Sequence, residues 1–218
     1  SSTDSQIQTG IIKYCFDNAG GKPCIVNVSW GSHIGPHDGT STFDQVLNAL
    51  VGEKRIVVGS AGNEGGDYIH CGKTFSDTDT IMKALIKPVQ VHGNNYVLAD
   101  VWGDTAQDYH LQLCMFDSYG NEVFESEKID TTYTKKTISL KNGGSGTIIC
   151  VPEWNPTNNK INIYLQSTNV SLNSGYYLGF KIYGKNGTIN TWAQYGNFYR
   201  SSFEGFTNGD NSSSVGEI

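Results

Sequence analysis

Partway along this chain the hydrophobic residues change their spacing, and that change limits the fold more than any other feature. From about Asp67 the period is two. Ile161, Ile163 and Leu165 alternate with Asn162, Tyr164 and Gln166. Leu178, Phe180 and Ile182 alternate with Gly179, Lys181 and Tyr183, and Leu111, Leu113 and Met115 follow the same rule less cleanly. One apolar face per strand predicts half-buried antiparallel strands. Such strands are expected near 81–87, 95–102, 109–116, 122–127, 135–140, 146–151, 160–167, 177–184 and 188–193. Turns fall between them at Asp117–Asn121, Asn142-Gly143-Gly144 and Asn186-Gly187, the last a strong hairpin signal. No helical pattern interrupts, so residues 67–195 predict an all-β jelly-roll sandwich. The 26 glycines and 12 tyrosines agree with strands and turns.

Upstream the pattern is different. Ile7, Ile11 and Cys15 recur every four residues, with Ile12 and Phe16 beside them, so residues 4–19 predict a helix. Gly20-Gly21 ends it. Cys24-Ile25-Val26-Asn27-Val28-Ser29-Trp30 is apolar almost without alternation, as expected of a parallel strand buried on both faces. Ser41 or Thr42 caps a second helix whose buried side carries Phe43, Val46, Leu47, Leu50 and Val51. A strand at 55–59 follows. Strand, helix and strand with short links build a parallel unit, and sites form beyond the carboxyl ends of its strands. Those ends are Ser29-Trp30-Gly31 and Ser60-Ala61-Gly62-Asn63. Residues 196–218 are polar and read as a return segment toward the first unit.

The net charge of −6 over 218 residues, with no basic stripe, argues against nucleic acid as a partner. No apolar run approaches the ~20 residues that span a bilayer. With no initiator Met and no signal peptide, the chain reads as an internal fragment of a longer protein. Its five cysteines fit no zinc spacing and read mainly as small buried hydrophobes, with a disulfide at Cys71 as the lesser reading.

Three segments carry a resemblance. Pro23 to Gly31, Gly35-Pro36-His37-Asp38-Gly39, and Val57-Val58-Gly59-Ser60-Ala61-Gly62-Asn63-Glu64-Gly65 together resemble the subtilisin-like serine proteases. The branch most similar contains the clostridial spore-germination (Csp-type) subtilases, which carry a jelly-roll domain inserted after the Ala-Gly-Asn-Glu-Gly loop. The fold class implied is an α/β fragment, an incomplete subtilisin-like parallel sheet over 1–66, plus the all-β jelly-roll sandwich. The resemblance implies that Asn63 is the side-chain donor of an oxyanion hole. It implies that Ser29, Trp30 and Gly31 pair with the substrate backbone, and that Ser60, Ala61 and Gly62 wall the specificity pocket. Trp30 stands where Leu is common. The family's Asp and His motifs would precede residue 1, and its Ser motif would follow residue 218. The chain alone is therefore expected to be inactive. The parent is expected to be a bacterial, secreted or envelope-associated endopeptidase acting on peptide or protein, without metal or cofactor. The other reading is a pseudoprotease or scaffold whose jelly roll binds a glycan or a protein.

Several groups imitate sites. Gly39-Thr40-Ser41 beside His37 and Asp38 looks like a nucleophile motif, but a helix cap explains it. His33, His37 and Asp38 suggest a metal site without a further ligand, and His70-Cys71 a nucleophile and base. Trp102, Trp154 and Trp192 suggest a sugar platform, with core packing as the default. Asp100, Asp104 and Asp108 have no recognised calcium spacing and are expected to be solvated. Asn27, Asn169, Asn186 and Asn211 each open an Asn-x-Ser/Thr triplet. The one at Asn27 is read as incidental because its strand is expected to be buried, and the others carry little weight.

Overall fold

The computed structural model describes residues 2–103, 109–132 and 134–211. Helix α1 (Ser2–Asp17), strand β1 (Cys24–Val28), helix α2 (Thr42–Leu50) and strand β2 (Arg55–Gly59) come first. Fifteen strands follow: β3 (His70–Phe75), β4 (Ile81–Lys87), β5 (Val89–Val91), β6 (Asn94–Gly103), β7 (His110–Phe116), β8 (Glu122–Glu125), β9 (Ile129–Asp130), β10 (Lys136–Ser139), β11 (Gly144–Ser145), β12 (Thr147–Asn155), β13 (Lys160–Thr168), β14 (Ser171–Leu172), β15 (Tyr177–Tyr183), β16 (Gly187–Tyr195) and β17 (Asn197–Phe198).

Period-two patterning does what it predicts. All nine expected strands form, and their inward residues meet in one core. One sheet runs β10-β12-β13-β6-β16-β3 with β5 on β6; the other runs β17-β4-β15-β7-β8 with β9 on β7. Every pairing within them is antiparallel. Val101, Leu165 and Ile189 from the first sheet share the core with Leu113, Phe180 and Ile182 from the second.

The expected fold class is corrected here. The structure is mostly antiparallel sheet, 48% strand against 11% helix, and the described residues form no parallel α/β subtilisin-like core. Among the described residues the only parallel pairing between named strands is β1 with β2. Nor are these strands buried on both faces. Cys24, Val26, Val28 and Val57 pack on Ile12, Phe16, Phe43 and Leu47 of the helices. On the other side Ile25, Ile56 and Val58 are 67%, 51% and 47% exposed, and Asn27 is exposed with them. The unbroken apolar run was read as two buried faces, but the helices cover only one.

A second correction concerns Asn186-Gly187. Gly187 takes φ 90°, as the turn signal demands. The strands on either side are not a hairpin, however: β15 pairs with β4 and β7, and β16 with β3 and β6. The chain uses this turn to change sheets. Strand β3 has no strong sequence signal. It forms as an edge against β16, where Gly72 is needed because a Cβ there would lie 2.6 Å from Asn190 Oδ1.

Lys181 lies on the outer side of β15, with Nζ 2.9 Å from Glu122 and also paired with Glu125. Burial opposes its charge, but hydrogen bonds to the two carboxylates outweigh this and raise its pKa. Cys114, Glu122 and Glu125 lie within ligand reach of one another, yet the Lys181 ammonium already supplies the cation there.

All five cysteines are free. Cys71, Cys114 and Cys150 are buried, and burial raises each thiol pKa, Cys150 to about 12. Cys15 and Cys24 are half-buried. Alkylation of the native chain at pH 8 should therefore mark Cys15 and Cys24 at least about 100-fold faster than the other three, because the thiolate is the nucleophile. Peptide mass mapping before and after denaturation checks this.

Candidate functional site

The two parallel strands end side by side. The Ser60 N–H donates to the Val28 carbonyl at 3.0 Å, so Ser29-Trp30-Gly31 and Ser60-Ala61-Gly62-Asn63 leave the sheet at one edge, and all are exposed. Asn27 Nδ2 donates to Ser29 Oγ at 3.0 Å, and Trp30 packs edge-on against Phe43 of α2, ring centres 6.2 Å apart. Gly62 takes φ 86°, a left-handed value that favours glycine and turns the chain into Asn63. Among the described residues, none hydrogen-bonds the Asn63 side chain.

The backbone of this loop is held firmly. Asn63 N–H donates to Glu64 Oε2 at 2.7 Å, and His33 Nε2 lies 3.2 Å from the same oxygen. The Asn63 N–H is the chief cause of a lowered Glu64 pKa; partial burial opposes it and His33 adds to it. A lowered carboxyl pKa stabilises the fold above the ordinary glutamate range, and this is lost as pH falls through the folded value. From the other side, Asn211 Nδ2 donates to Gly65 O at 2.8 Å.

Loop residues 31–42 lie over the outer face of the seven-stranded sheet. Gln194 Oε1 accepts from His33 N–H at 2.8 Å and from Ser32 Oγ at 3.3 Å. The His37 ring stacks on Trp192, centres 4.2 Å apart, and Asp38 pairs with Lys160 at 2.7 Å. Burial opposes ionisation of Asp38, but hydrogen bonds from Lys160 and Thr40 prevail and lower its pKa. His33, His37 and Asp38 thus face three different partners and do not converge as a metal site.

The other imitations resolve as well. Ser41 caps α2: its Oγ accepts from Asp44 N–H at 3.1 Å while Asp44 Oδ2 accepts from Ser41 N–H at 3.3 Å. His70 Nδ1 lies 2.8 Å from Asp210 Oδ1 and Nε2 lies 3.0 Å from Asn190 Oδ1, which ties the end of the chain to β3. Cys71 faces the opposite way, into the core. The expectation of solvated acids fails at Asp100, which is 1% exposed and accepts from Trp102 Nε1 and Asn162 Nδ2 at 2.7 Å each. Asp104 and Asp108 lie outside the described residues. Trp102 and Trp192 are buried and only Trp154 is exposed, so the three form no open platform.

A solved structure has a similar fold. It is that of the Clostridium perfringens CspB protease, with a TM-score of 0.69 at 16% identity. The match covers 91% of this chain and 42% of that one, so the chain spans less than half the length of the protein it resembles. At this identity the likeness is one of fold alone. No family model matches the sequence, and no curated protein does.

The sequence offered His33 as a metal ligand and Asn211 as the start of an Asn-x-Ser/Thr triplet, and gave Gln194 no role; none was expected to hold the Asn63 loop.

Proposed function

We propose that this chain supplies the oxyanion donor and part of the substrate cleft of a subtilisin-like serine endopeptidase. The observation that carries the reading is Asn63. It is a side-chain amide left unengaged on an anchored, glycine-bracketed loop at the carboxyl end of a strand, in a chain with a protease-like fold. Ser29-Trp30-Gly31 beside it would pair with the substrate backbone, and Ser60-Ala61-Gly62 would wall the pocket for one side chain.

The chemistry follows from the donor. A serine Oγ attacks the scissile carbonyl carbon as its proton passes to a histidine, and the carbonyl π pair moves onto oxygen. Asn63 Nδ2–H meets that oxyanion without reorganising, because its backbone is already fixed. Collapse restores the carbonyl and expels the amine, which takes the proton from the imidazolium. Water then repeats the sequence and frees the serine. The Asp, His and Ser of the triad are proposed to come from polypeptide outside residues 1–218, so this chain alone is inactive. Residues 67–195 are proposed to be an insertion and 196–218 the return segment. The Asn211–Gly65 contact supports this by placing both ends of the β unit at one point.

A fluorophosphonate probe tests the assignment. The complete polypeptide should be labelled at a serine outside this chain, and residues 1–218 alone should not be labelled. Labelling at Ser41 would overturn it. A complete polypeptide that takes no label and cleaves no peptide would favour the binding-scaffold reading.

A further inference from the structure

We propose that Gln194, His33 and Glu64 form a positioning relay through which the seven-stranded sheet sets the geometry of the Asn63 loop. The inference rests on the reading of Asn63 as an oxyanion donor and adds three residues to it.

The relay starts at a defect in the sheet. Ala193 pairs with Ala99 and Tyr195 with Leu98, which leaves Gln194 as the extra residue of a β-bulge. Bulges re-aim side chains beside functional sites. Here the re-aimed carboxamide reaches across to the 31–42 loop and accepts the His33 N–H at 2.8 Å and the Ser32 hydroxyl at 3.3 Å. Ser32 Oγ in turn accepts from Ile34 N–H at 3.1 Å, so the loop backbone is fixed on both sides of His33.

His33 passes the constraint on. Its side chain is buried, and its Nδ1 has no hydrogen-bond partner among the described residues. Among the described residues the Glu64 carboxylate at Nε2 is then the polar contact that orients the imidazole. An acceptor there places a proton on Nε2. The same Glu64 oxygen takes the Asn63 N–H at 2.7 Å. Three contacts, through two intervening residues, thus join the Gln194 carboxamide to the residue whose side chain would meet the substrate.

A simple structural tie predicts a different outcome. If these contacts only fasten two units together, cutting them lowers stability and leaves the chemistry of the folded protein alone. If they hold Asn63 in register, cutting them lowers turnover more than substrate binding. Small displacements of a positioned group are costly, up to about 100-fold for an ångström.

The test uses Gln194→Ala and Gln194→Glu in the complete polypeptide, with Asn63→Ala as reference. Gln194→Ala should lower kcat about tenfold and change KM less than about twofold, since a positioning loss falls on the transition state. Gln194→Glu keeps an acceptor at the same reach and should restore kcat. In the Asn63→Ala background, Gln194→Ala should cost nothing further, because the two act as a unit. Normal kcat in Asn63→Ala would remove the oxyanion reading itself. A low kcat in Asn63→Ala with a normal one in Gln194→Ala would remove the relay alone, as would equal losses from Gln194→Ala in both backgrounds. Residues 1–218 give a second readout without catalysis. Hydrogen exchange at the Asn63 amide should accelerate about tenfold in Gln194→Ala, a local opening transmitted across the relay. Unchanged exchange at Asn63, with faster exchange at His33, would overturn it.

Discussion

With Asn63 as the proposed oxyanion donor, Asn63→Ala in the complete polypeptide is expected to lower kcat for peptide hydrolysis by about 10²–10³-fold, equivalent to about 2.7–4 kcal/mol of lost transition-state stabilisation. That range is the one found on losing the amide donor in subtilisin itself. The argument for a kinetic rather than a folding effect lies in the surroundings. Asn63 is exposed, its side chain engages no described residue, and its loop is held through the Asn63 backbone and Glu64. Surface substitutions of this kind shift stability within about 0.5 kcal/mol. Turnover and melting temperature measured on the same preparation separate the two. A full loss of activity accompanied by a large fall in melting temperature would point to folding instead, and an unchanged kcat would remove Asn63 from the mechanism.

Phe180→Ala is the largest expected loss of stability. Phe180 is fully buried on β15, between Ala84 of β4 and Leu113 of β7, and meets the Phe198 ring edge-on with centres 6.0 Å apart. Alanine leaves a void that this tightly paired sheet cannot close, at a cost of about 3–5 kcal/mol. For a chain of this size that lowers the melting temperature by roughly 6–20 °C. The damage extends past the core. Phe198 heads the segment that continues through Tyr199, Phe203 and Phe206 over the outer face of the six-stranded sheet, and that segment ends where Asn211 holds Gly65. Thermal unfolding by circular dichroism checks the prediction, and a shift of less than about 3 °C would mean that the two sheets do not share a single core.

Local period made the elements readable. Both helices, the Ser41 cap and the nine main strands follow from spacing within a dozen residues. Strand assignment to sheets was not readable, because Asn186-Gly187 gives the same turn signal whether the chain folds back or crosses over. Burial failed at Ile25, Ile56 and Val58 for a related reason: apolar residues record what a surface can pack against, not what covers it. The site divides in the same way. Asn63 could be offered as a candidate because strand, glycine and amide are adjacent in sequence. The contacts that hold its loop span 161 residues from His33 to Gln194 and 146 from Gly65 to Asn211, and neither has a local signature.

The uncovered side of β1 and β2 has one more consequence. Ile25, Ile56 and Val58 face water beside strands that each have one edge without a strand partner. Apolar area next to open backbone edges is what makes proteins adhere to themselves and to surfaces. The large β core governs how hot the isolated chain can become before it unfolds. This small patch is the place where self-association of the isolated chain is expected to begin as its concentration rises.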